Sequence, residues 1–197
     1  MTASRLQQQL RFILEIDRLK GVLRQTTLAD GSRRENSAEH SWHITLMAFL
    51  LTEHAVSEEL SVQRVMEMLL VHDLVEIDAG DTFCYDREAH RDKEEREQRA
   101  ADRLFGLLPA DQGERFRALW DEFEAGETLE ARYAAALDRL QPVLLNLHSE
   151  GSSWRRHGIR RHQVWERNRP IGDGAPEIWS YIEEQLDLAV EAGRLKA

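Results

Sequence analysis

The chain has a single cysteine, Cys84, among its 197 residues, so no internal disulfide can brace the fold. Breakers are scarce too, with four prolines and eleven glycines. No segment shows the alternation of β-branched and polar residues that marks a half-buried strand. Long apolar runs are missing: the longest, Leu46 to Leu51, falls far short of the roughly 18 residues that a membrane helix needs. Positive charge is outnumbered, 26 basic residues against 36 acidic ones, and a net charge of −10 repels a nucleic-acid polymer unless a local basic patch overcomes it. The stretch from Met1 to Arg11 is polar and Gln-rich, without the apolar segment of a secretory signal. These absences predict a cytoplasmic protein that binds neither membrane nor nucleic acid.

What remains is an ordinary globular balance, 42% hydrophobic and 31% charged, on a chain long enough to bury one sizeable core. Apolar spacing predicts helices over about Ser4 to Arg24, Asn36 to His54, Ser61 to Gly80, Arg87 to Leu108, Asp111 to Glu124, Thr128 to His148 and Glu177 to Leu195. Asn36, with Glu39 three residues on, has the pattern of a capping box. Pro142 should kink its helix. Gln25 to Glu35 reads as a polar connection, and Glu150 to Pro176 as a loop around one short helix. The fold class is all-α.

Several ionisable residues fall on faces that should be buried. On the third helix the stripe through Val65 and Leu69 continues to His72 and Glu76, and a neighbouring line leads to Asp73. On the second, His40 and His43 share a stripe with Met47 and Leu50. On the helix after Thr128, Asp138 sits among Ala135, Leu137, Leu140 and Leu144. An unpaired buried charge costs several kcal/mol or neutralises itself. A single divalent cation held by His40, His72, Asp73 and Asp138 would account for all of them. Two nitrogens and two oxygens suit an octahedral Mn²⁺, Co²⁺ or Fe²⁺, with Mg²⁺, Zn²⁺ or Ni²⁺ as further options, and leave two positions open for water or substrate. Each residue alone has a blander explanation: a histidine on an apolar face is more often a core residue, and Asp138 could simply meet an arginine. The coincidence of four is what carries weight.

The runs NSAEHSWHITLMA (Asn36 to Ala48), LLVHDLVEIDAGD (Leu69 to Asp81) and AALDRLQPVL (Ala135 to Leu144) resemble the HD-domain metal-dependent phosphohydrolases, most closely their 5′-deoxyribonucleotidase branch. The motifs recur in order over about Leu19 to Leu147. The resemblance implies one HD-type helical bundle over residues 1–197 with a C-terminal helical extension, commonly a homodimer. It implies His40, His72, Asp73 and Asp138 as ligands of one metal ion, and it places Glu76 and Asp81 in the site as managers of the attacking water's proton. Arg24 corresponds to the family's phosphate-contacting arginine, and Arg33 and Arg34 offer further positive charge. Some members carry an aromatic residue after that arginine where this chain has Gln25. The implied activity is hydrolysis of a (deoxy)nucleoside 5′-monophosphate. The rivals are another HD chemistry, on cyclic nucleotides, nucleoside triphosphates or alarmones, and a helical regulatory protein that keeps its metal without catalysis. Trp42, Trp154 and Trp165 are candidates to stack on a base.

Overall fold

The computed structural model describes residues 4–86 and 88–197 and is helical apart from one small hairpin. Helix α1 (Arg5–Ile16) starts at a capping box in which Ser4 and Gln7 satisfy each other's backbone N–H groups. It tightens into a 3-10 turn over Asp17–Gly21. The chain then forms strands β1 (Leu23–Thr27) and β2 (Arg34–Asn36), paired antiparallel with Leu23 opposite Asn36 and Thr27 opposite Arg34. The first helix is therefore shorter than its apolar spacing predicts, and the polar connection contains a ribbon. Its turn, Asp30-Gly31, with Gly31 at φ 72°, was the available signal. Strands of three and five residues are too short to show an alternating pattern.

Helix α2 (Ser37–Leu50) begins at the expected Asn36/Glu39 capping box. Helix α3 (Val62–Val71) is capped by the Ser61 hydroxyl. It does not run on to Gly80: the chain winds tighter into a 3-10 turn over His72–Val75 and resumes as the single turn α4 (Glu76–Ala79). Burying four successive side chains, His72 to Val75, exceeds what one stripe of an α-helix can present to a core. The helix expected from Arg87 starts at Lys93 as α5 (Lys93–Phe105), Arg87 itself lying outside the described residues. Then come α6 (Ala110–Ala125) and α7 (Leu129–His148), which continues through Pro142. The predicted loop from Glu150 to Pro176 holds three short helices, α8 (Ser152–His157), α9 (Arg161–Asn168) and α10 (Ile171–Gly174), before α11 (Pro176–Glu191).

Helix α7 is the spine. Tyr133, Ala134, Leu137 and Leu140 are buried on it, within one core cluster that includes Ile44 of α2, Val65 and Leu69 of α3, and Ile182 and Leu186 of α11. Helix α10 lies directly on its backbone: a Cβ at Gly174 would stand 2.5 Å from the Arg132 carbonyl oxygen, so only glycine permits that approach. Among the described residues no helix is long and apolar enough to cross a membrane.

Candidate metal centre and active-site cleft

Three elements distant in sequence bring the four expected ligands together. His40 Nε2 lies 2.9 Å from Asp138 Oδ1 and 4.0 Å from Asp73 Oδ2. His72 Nε2 lies 3.0 Å from Asp73 Oδ1 and 3.9 Å from Asp138 Oδ1. His40, His72 and Asp73 each offer one ligand atom within 4.8 Å of the other two. Around an octahedral ion with bonds of about 2.1 Å, cis ligands are about 3 Å apart and trans ligands about 4 Å. The spacing fits that geometry.

The tautomers point the same way. Gln141, one turn beyond Asp138 on α7, donates its Nε2–H to Glu35 Oε1 (2.5 Å) and lies 3.2 Å from His43 Nδ1, which fixes the amide. Its Oε1 then accepts from His40 Nδ1–H at 3.1 Å. His72 Nδ1–H donates to the Leu69 carbonyl at 2.9 Å. Both Nε2 atoms are thereby left as lone pairs facing carboxylates. His72 Nε2 is buried without any hydrogen-bond partner, an orphan that a cation would satisfy. The charges of these groups act on one another unequally. Burial and the Arg24 charge push the His40 pKa down. Burial also pulls His72 down, but Asp73 and Asp138 outweigh it and lift it to about 9. Burial opposes ionisation of Asp138, yet His40 and His72 hold its carboxyl well below the usual range.

Arg24, on β1, reaches into this cluster. Its Nη1 donates to Asp73 Oδ2 at 2.9 Å, and the guanidinium lies 3.8 Å from Glu35 and 3.9 Å from both Asp81 and Asp138. Glu76 is buried and accepts the Ser37 hydroxyl at 2.6 Å; burial first, and then the Asp73 charge, raise its pKa well above a normal carboxylate's. Asp81 follows Gly80, whose φ of 77° turns the chain out of α4. Burial raises its pKa too, with Arg24 opposing. Arg33 goes elsewhere: it is exposed, forks onto Glu39 at 2.6 and 2.9 Å, and does not line the cleft.

These residues open onto a shared cleft. One wall carries Lys93, Glu97 and Glu124 from α5 and α6, with Lys93 Nζ 3.2 Å from the buried Glu97. Burial raises the pKa of both glutamates, with Lys93 opposing. Another wall carries Arg139, Asn146, Trp154 and Arg167 from α7, α8 and α9. Of the three candidate tryptophans, Trp154 lines the cleft, Trp42 is exposed, and Trp165 donates to Glu183 on α11. Sequence reading missed Glu35, Ser37 and the Lys93–Glu97 pair. Gln141 stood within the LQ of the third motif, at the i+3 position from Asp138, and that spacing was the signal for it.

The HD domain family model matches residues 16–179. The chain belongs to the HD-domain family. Among solved structures, the crystal structure of a predicted metal-dependent phosphohydrolase from Magnetospirillum magnetotacticum MS-1 superposes with a TM-score of 0.94 at 54% identity, covering 98% of this chain and 97% of that one. Human 5′-deoxynucleotidase HDDC2 is 28% identical over 139 residues, which are 68% of this chain and 66% of the human protein. The Xenopus laevis protein of the same name is 30% identical over 142 residues, 72% of this chain and 69% of the relative. This HD domain thus spans about two thirds of the length of the curated relatives it matches.

Proposed function

We propose that this HD domain is a metal-dependent phosphohydrolase that cleaves nucleoside 5′-monophosphates, preferring deoxyribonucleotides, to nucleoside and phosphate. The observation that carries the reading is the meeting of two imidazole lone pairs and two carboxylates from α2, the turn after α3, and α7 around one point. The relatives named 5′-deoxynucleotidase support the substrate class.

In this reading His40, His72, Asp73 and Asp138 hold one divalent ion, which when bound supplies Lewis acidity and a water of lowered pKa. Glu76, one turn beyond His72, takes the water's proton: Ser37 fixes one of its oxygens while the other stays free. Asp81 orients that water or the leaving hydroxyl. Arg24 neutralises phosphoryl charge, already positioned by Asp73 in the middle of the cluster. Arg33, spent on Glu39, takes no part. We also propose a homodimer, because α1 and α2 leave Leu10, Ile13, Leu14, Trp42, Phe49 and Leu50 more than half exposed.

The test is phosphate release from a panel of nucleotides with Co²⁺ or Mn²⁺. Release from deoxynucleoside 5′-monophosphates, abolished in Asp138→Ala, is expected. Silence with every substrate and metal would favour a regulatory role, and turnover of cyclic nucleotides, triphosphates or alarmones alone would move the protein to another HD chemistry.

A further inference from the structure

Many arginines elsewhere in the molecule pair with carboxylates, Arg5 with Asp111, Arg33 with Glu39, Arg103 with Asp78, and Arg117 with Asp121, while Arg11, Arg132, Arg155, Arg156, Arg160 and Arg169, which do not, are exposed to water. Two arginines on the wall of the cleft are unpaired as well. Arg139 of α7 and Arg167 of α9 both line the cavity that holds the metal-centre residues, and neither forms an ion pair among the described residues. Arg139 donates Nη1–H to the Ala135 carbonyl at 3.0 Å, and its Nε is buried with no partner. An unpaired, partly buried guanidinium is costly, and a second one beside it adds repulsion. Asp138 and Asp173 offset this only in part, since burial and the Arg167 charge still lower the Arg139 pKa, and the remaining charge calls for an anion between the two, which a nucleobase does not bring. A phosphate does, and it matches the guanidinium fork bidentately.

Resting on the phosphohydrolase reading, we propose that Arg139 and Arg167 form a second anion subsite in the cleft, taking a phosphate group other than the one engaged beside Arg24. The preferred substrate or effector then carries two phosphate groups on one nucleoside, or binds together with free phosphate. Lys93 does not compete for this anion, because its ammonium is already held by Glu97.

Two binding measurements on the metal-loaded protein test the subsite. Equilibrium dialysis with inorganic phosphate is expected to give two phosphates per chain, falling to one in Arg167→Gln. Calorimetry in a Glu76→Gln background, which halts turnover, compares 2′-deoxyadenosine 3′,5′-bisphosphate with the 5′-monophosphate. The bisphosphate should bind about tenfold tighter, an advantage that Arg167→Gln and Arg139→Gln each remove. A stoichiometry of one in the unmutated protein overturns the proposal, as does a change in base preference in the arginine variants with no change in phosphate binding. If two phosphates bind but equal affinities are found for the two nucleotides, the subsite stands for free phosphate. If neither nucleotide binds while the stoichiometry still falls from two to one, the subsite stands and the nucleotide reading fails.

Discussion

His72 shows how much one side chain of this molecule is asked to reconcile. Its folded pKa of about 9 exceeds the ordinary 6.5, so without metal the native state binds a proton more tightly than the unfolded chain does. That contribution, on the order of 3 kcal/mol, is fully present below pH 6.5 and fades as pH rises through 9. The melting temperature of the metal-stripped protein should therefore fall between those values, and metal should flatten the curve by replacing the proton. Gln141 tests the support behind the ligands: Gln141→Leu removes the acceptor that sets the His40 tautomer and strands Glu35, whose pKa burial already pushes up to about 7. Metal affinity, read by competition with a chelator, should drop about 10- to 100-fold. That His40, His72, Asp73 and Asp138 would meet on inward faces was legible from the sequence because a charge on an apolar stripe is anomalous. Glu35 was not, because it sits in a short strand outside any periodic pattern and only the tertiary structure buries it.

Elements bring the candidate ligands together because of where they begin and break. The Asn36 box starts α2 four residues before His40, and the loss of α-winding after Val71 presents His72 and Asp73 to one point. The first was readable, since capping follows residue identity at fixed spacing. The break was not: nothing local disfavours a helix through VHDLVEIDA, and packing on both sides imposes the tighter turn. The α8–α10 segment was illegible for a related reason, because helices of four to eight residues show too few turns to establish a period. Gly174 marks how closely the last of them seats on α7. Gly174→Ala should cost about 1–3 kcal/mol in urea unfolding, since the Arg132 carbonyl is backbone and cannot step aside.

For the whole molecule, the α-helical class and the order of the long helices followed from composition and apolar spacing, while the hairpin that delivers Arg24 did not. Association is the property left to measure. Leu14 and Phe49 are 75% and 67% exposed, and Leu14→Glu or Phe49→Glu should convert a dimer to a monomer by sedimentation while leaving the monomer's circular dichroism unchanged.

The ligand positions 40, 72–73 and 138 also divide the chain into long intervals, joined at a spot between α2, α3 and α7. In the proposed reading an ion seated there would act as a cross-link as well as a reagent, restricting the denatured chain and coupling the opening of helices nearly a hundred residues apart. Starving the protein of metal would then loosen the architecture itself, and chelation should shorten the time the folded chain survives a protease as well as slow any turnover.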